Sequence, residues 1–262
     1  MSPHLRELLT DLKAAALIGH PDSLQSALDG VRGTDDEELP PSALLPLGRA
    51  LTPLTAKTLK PLLGDPDPAI RALSAVAMAE RYLRSKDINL KDLYAPANDP
   101  NPEVRAALAR ALIEFTPPQP EKLTPLIEAW LPVDSTGVPD HKLRTTHIAL
   151  LLLPHLSVSP SHLFPLLSPL DSVEDHAFRA ALVTCLNTLA EKNPPVYPLS
   201  APILDLLSQW AARPEPNVWL ITHVLSASWA QNHREEAARI LNELAVQAGM
   251  IRPILRALER HK

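Results

Sequence analysis

Four arginines recur down this 262-residue chain at intervals that suit a column of anion-binding groups. Arg71, Arg105, Arg144 and Arg179 each follow an apolar residue, respectively Ile70, Val104, Leu143 and Phe178. A guanidinium fork matches the oxygens of phosphate, so such a stripe is a candidate phosphate-binding surface. The same residues also have a purely local use. Asp67, Asn101, Asp140 and Asp175 stand four positions before the four arginines. Side chains of that kind accept from the free N–H groups of a helix's first turn. Each arginine can then reach back to that oxygen or across to a neighbouring unit. With an oxygen at that spacing every time, the expectation is a ladder of structural pairs and caps, not a phosphate site.

Catalysis has less material to work with. General acid–base chemistry needs a carboxylate or histidine convergent with a nucleophile. Glu80 and Glu114 are the carboxylates that fall late in two matching helical stretches, and later stretches have Thr, Ser, Ala and Leu there. His141, His147 and His155 lie near one helix, but separations of six and eight miss the i, i+4 pair that puts two imidazoles on one helical face. No catalytic residue, metal or cofactor is expected. The lone Cys185 falls on an apolar stripe, the setting of an inert buried thiol. One cysteine also excludes an internal disulfide framework and suits a reducing, cytoplasmic compartment. Seven glycines offer little for loops that cradle phosphate.

Two features stand apart from the ladder. Trp219 occupies the position an arginine would take, with His223 one helical turn further on, a pair able to line a pocket or an interface. Arg252, Arg256 and Arg260 form a basic stripe at i, i+4 and i+8 near the C-terminal end of the chain, a candidate electrostatic contact. Trp229 falls on the apolar stripe and reads as packing.

These residues are placed by helices. Residues 3–18 carry Leu5, Leu8, Leu9 and Leu12 at the 3.6-residue period, and Pro21-Asp22 starts a second helix. An acidic loop, GTDDEELPP over 33–41, follows, and two short helices fill 42–64. After that, helices come in pairs: 54–63 with 68–84, 90–97 with 102–115, 121–131 with 141–153, 161–167 with 174–191, 200–212 with 216–230, and 234–247 with 252–260. In the second helix of each pair an apolar residue returns seven positions after the entry residue, as Ala77, Ala111, Leu150, Cys185, Leu225 and Leu258. One amphipathic pair cannot bury that face alone, so successive pairs must stack. The 29 prolines cluster between these segments as punctuation.

The stretches DPDPAIR, Asp65 to Arg71, and DPNPEVR, Asp99 to Arg105, lie 34 residues apart. They resemble the inter-helix turn of HEAT repeats, whose aspartate and arginine form ladders along the stack. The third, fourth and sixth pairs keep the apolar residue and the arginine without the Asp-Pro turn, and the fifth has Trp219 instead. The resemblance implies an all-α, armadillo-like, right-handed superhelical solenoid of about six to seven helix pairs. It divides the chain into capping helices over 1–53 and repeats over about 54–84, 90–116, 121–156, 161–192, 200–231 and 234–262. By analogy it implies a non-enzymatic scaffold that binds another protein on its concave surface. The alternative it carries is a DNA-binding protein of the DNA-alkylation-repeat glycosylase type. A net charge of −5 disfavours nucleic acid as the partner. No stretch approaches the roughly 20 apolar residues of a membrane span.

Overall fold

A serine and a proline begin the first helix, and a glycine ends it. Ser2 Oγ accepts from the Leu5 N–H at 3.3 Å, Pro3 takes the first helical position, and α1 runs Pro3–Ile18. Gly19, at φ 68°, closes it by donating to the Ala15 carbonyl, the left-handed cap that glycine adopts without strain. The computed structural model describes residues 2–32, 39–84, 87–115, 120–131, 142–156, 160–191 and 199–248. Among them every regular element is helical.

The chain forms two compact units, residues 1–126 and 127–262. In the first, α2 (Pro21–Arg32), α3 (Pro41–Ala50), α4 (Ala56–Leu62), α5 (Pro68–Arg84), α6 (Tyr94–Ala97) and α7 (Pro102–Phe115) follow α1. A 3₁₀ turn over Leu90–Leu93 leads into α6, held by a capping box between Asn89 and Asp92. Helix α8 (Thr124–Trp130) spans the division. The second unit then contains α9 (Leu143–Leu152), α10 (Pro160–Leu167), α11 (His176–Glu191), α12 (Ser200–Ala211), α13 (Val218–Leu225) and α14 (Arg234–Ala248).

The core of the first unit is α5. Residues Ala72 through Glu80 are buried without a break, which an ordinary amphipathic helix never achieves. The reason is that α5 packs against α2, α3, α4 and α7, while α3 also packs against α7. Helix α3 therefore lies in the groove between α5 and α7 and covers the side that would otherwise face water. Small residues make this possible: Ala72, Ser74, Ala75, Ala77 and Ala79 on α5, and Gly48 on α3. A Cβ placed at Gly48 would lie 2.5 Å from Val76 Cβ and 2.9 Å from the Leu73 carbonyl oxygen. Helix α3 stands outside the repeated pairs, yet it meets α5 closely at Gly48.

In the second unit, α9, α11 and α13 stack as successive second helices, and α12 packs against α10, α11, α13 and α14. Leu150, Leu182, Cys185, Ile221 and Leu225 form its buried stripe, with Trp210 wholly enclosed. Three details differ from the sequence reading. Helix α13 ends at Leu225, and Trp229 sits in a separate 3₁₀ segment, Ser228–His233, so 216–230 is not one helix. Leu143 is only half-buried while Thr145 and Thr146 are enclosed, because Thr146 Oγ1 donates to the Trp130 carbonyl at 2.8 Å and sets the rotation of α9. Finally, Pro46, Pro61 and Pro165 lie inside helices instead of between them. Those helices are short, so each loses little of its ladder and is held by packing.

Asp140, His141, residues 33–38 of the acidic loop, and Arg252, Arg256 and Arg260 lie outside the described residues.

Candidate functional site

The DPxP turns are built by aspartates in two different jobs. Asp67 and Asn101 are the caps: Asp67 Oδ1 accepts from the Ala69 N–H at 2.8 Å and Asn101 Oδ1 from the Glu103 N–H at 2.7 Å. Asp65 and Asp99, two residues earlier, fold the turn itself, accepting from the N–H of Asp67 and of Asn101. In the second unit Asp175 Oδ1 accepts from the Phe178 N–H at 2.7 Å.

The arginines bind both side chains and main chain. Arg71 Nη1 donates to the carbonyls of Asp65 and Pro66, and Arg105 Nη1 donates to those of Asp99 and Pro100. Arg179 Nε donates to the Val173 carbonyl, again six residues back. The acid that Arg71 grips is not Asp67 at the head of its own helix. It is Asp99 of the next turn, with Nε to Oδ2 at 2.8 Å and Nη2 to Oδ1 at 3.1 Å. With the side chains only 15 % and 7 % exposed, this fork-to-fork pair is poorly screened. Asp99 raises the Arg71 pKa, outweighing the opposing effect of burial. Asp65 is met in turn by Arg32, at the end of α2, and raises that arginine in the same way. Arg144 is exposed on α9.

The corresponding contact in the second unit uses residues that no motif marked. Asp171 is buried and paired with Arg213, and its main-chain carbonyl accepts from Asn217 Nδ2 at 2.8 Å. Asn217 also caps α13, accepting from the Leu220 N–H. Burial pushes the Asp171 carboxyl above its ordinary value, with Arg213 working against that. Asp171 lies eight residues before Arg179, where Asp65 and Asp99 lie six before theirs, so the spacing that revealed the others conceals it.

Trp219 is half-buried on α13 and is met by two imidazoles. His223 stacks on it at a centroid distance of 4.0 Å and 27° between planes, and His176 of α11 approaches at 5.4 Å and 51°. His223 Nδ1–H donates to the Trp219 carbonyl at 2.7 Å, which fixes the ring and turns Nε2 away from the helix. Both histidines are exposed. His176 had no sequence signal, because only the stacking of α11 on α13 brings it there. Trp229 is buried, with its indole N–H on Asn187 Oδ1 at 2.9 Å.

The two late carboxylates part company. Glu114 is exposed on α7, whereas Glu80 is buried under α3. Thr52 Oγ1 donates to Glu80 Oε2 at 2.8 Å, and Oε1 meets Arg49 Nε at 3.3 Å and Arg84 Nη1 at 3.0 Å. Arg49 also lies over the Phe115 ring, 5.3 Å from its centroid. Cys185 is enclosed and burial drives its thiol far above the ordinary range, which removes the thiolate a nucleophile requires. Among the described residues no group of three His, Cys, Asp or Glu side chains could hold a metal ion. None of the described helices is long and apolar enough to cross a membrane.

Residues 55–136 match the family model for HEAT repeats. That span holds both DPxP turns, the Arg71–Asp99 pair and helices α5 and α7. Comparison with curated proteins and with solved structures gave no match.

Proposed function

We infer that this HEAT-repeat chain is a scaffold that binds another protein, not a catalyst, and that Trp219 and His223 lie in the contact surface. The observation that carries the reading is the Trp219 stack. A tryptophan takes the ladder position, remains half-buried, and is braced by His176 and His223. Tryptophans of this kind dominate the affinity of protein interfaces, and a ring already fixed loses little entropy on binding. The buried carboxylates Glu80, Asp99 and Asp171 are each engaged by arginine, which suits structure and positioning better than proton transfer.

The test is affinity capture with the immobilised chain, followed by titration of the recovered partner against Trp219→Ala. A loss of at least about 2 kcal/mol in binding is expected, the hot-spot range. Recovery of no saturable partner, or unchanged affinity in the variant, counts against the reading. Binding to duplex DNA with a steep salt dependence would favour the nucleic-acid alternative instead.

A further inference from the structure

We propose that Arg49 and Arg84, gathered by the buried carboxylate of Glu80, form a clamp for a carboxylate in an acidic segment of the partner protein. The clamp rests on the scaffold reading above and gives that partner a chemical character.

Glu80 is 3 % exposed, and removing a carboxylate from water costs several kcal/mol unless its oxygens are satisfied. Here they are satisfied by one hydroxyl and two cations. Both arginine nitrogens approach the same oxygen, Oε1, so they lie no more than about 6 Å apart. That is a separation one carboxylate can bridge with an N–H from each side. Two guanidinium groups against one carboxylate leave a positive charge in excess. Each guanidinium has five N–H donors, more than the shared Glu80 oxygen can engage. Arg49 and Arg84 are 54 % and 56 % exposed, so the remaining donors are open to a ligand.

Arg49 has a second support besides Glu80. Phe115 backs the face of Arg49, and Arg84 is the last residue of α5. Arg81, one turn earlier, donates to the Thr52 carbonyl at 2.8 Å and pairs with Asp87, so it steadies the loop that carries Thr52 without adding to the excess charge. The cluster is not a general device of the repeat, because the equivalent Glu114 on α7 is exposed. It exists where α3 covers α5 and nowhere else among the described helices. A clamp two cations wide spans one carboxylate, which suits a short acidic protein segment better than the continuous phosphate run of a nucleic-acid backbone.

The experiment is fluorescence anisotropy of labelled hexaglutamate with the full chain at low ionic strength, with hexalysine and duplex DNA as the other probes. Hexaglutamate should bind and hexalysine should not. Arg49→Gln with Arg84→Gln should weaken binding about ten-fold or more, one to two charge-assisted hydrogen bonds' worth. The charge-matched pair Arg234→Gln with Arg239→Gln, on α14, should change it by less than about two-fold. Arg84→Gln alone, at an exposed helix end, gives a partial loss and serves if the double variant fails to fold. Absent hexaglutamate binding, equal loss in the α14 control, no loss in Arg84→Gln, or DNA bound in place of hexaglutamate each overturns the clamp. Hexaglutamate reads the clamp and partner capture reads the scaffold. A captured partner that tolerates the double variant therefore removes the first and leaves the second.

Discussion

Replacing Gly48 by alanine should destabilise the protein, although the same change inside a helix ordinarily stabilises. Alanine in place of an interior helical glycine is favourable by about 1 kcal/mol. At position 48 the added methyl would meet Val76 Cβ at 2.5 Å, Val76 Cγ1 at 2.7 Å and the Leu73 carbonyl oxygen at 2.9 Å. Ordinary carbon contacts lie near 3.5–4.0 Å, so α3 and α5 must separate by roughly 1 Å. Two of the obstructing atoms belong to backbone or Cβ, and no rotamer change moves them. Overpacking of this kind costs about 1–3 kcal/mol, and loosening α3 also uncovers the apolar side of α5. The net expectation is a loss of about 1–2 kcal/mol, a fall in Tm of a few degrees for a unit this size. Gly30→Ala is the internal control. Its methyl would meet only the end of the Leu8 side chain, Cδ2 at 3.3 Å, so that variant should be neutral or slightly stabilised. Urea titration followed by circular dichroism measures both. Val76→Ala should not rescue Gly48→Ala, because the Val76 Cβ stays in place. A Gly48→Ala protein as stable as wild type would refute the close packing of α3 on α5.

Other perturbations separate the ladder from the core. Asp99→Ala leaves Arg71 with no carboxylate and should cost about 3 kcal/mol in a urea melt, the range for breaking a buried pair. Trp210 and Trp130 are both enclosed, yet Trp210 Nε1 donates to the Ser168 carbonyl at 3.0 Å while Trp130 Nε1 has no partner. Trp210→Phe should therefore be less stable than Trp130→Phe by about 1–3 kcal/mol, since only the first removes a made hydrogen bond. Asp92 is held below the usual carboxylate range: burial would raise it, but Lys60, 2.6 Å away, and the Asn89 N–H outweigh that. Its contribution is present above the unfolded value near 4 and lost as pH falls through the folded one, so Asp92→Asn should flatten the acid limb of the stability curve. Asp171 is raised, so its contribution is present at low pH and lost as pH rises, and Asp171→Asn should make stability climb more steeply above about pH 4.

Much of the helical framework was legible because its boundaries are chemical. Ser2-Pro3, Asp67-Pro68 and Asn101-Pro102 place a side-chain acceptor before a residue with no N–H to satisfy, and helices begin there. The buried positions Leu73, Leu108, Leu182 and Ile221 follow from periodicity alone. What could not be read is which elements meet. The small residues of α5 signal close approach but not that α3 provides it. Arg71 has acids near it in sequence, and only the stacking of turns selects Asp99. His176 joins Trp219, Arg213 joins Asp171, and Arg49 joins Glu80 across long stretches of sequence that carry no local code. Helix α13 stops early because Ala227-Ser228 turns the chain so that Trp229 packs inward onto Asn187.

The most direct test of the scaffold reading is site-specific photocrosslinking. A benzophenone amino acid at Ala180, an exposed position one helical turn from His176, leaves the Trp219 stack intact and is compared with one at Val246, an exposed position on α14. Position 180 should give one discrete protein adduct, competed away by unlabelled chain, and position 246 should not. Equal labelling from both positions, or an adduct with nucleic acid from position 180, would contradict the scaffold.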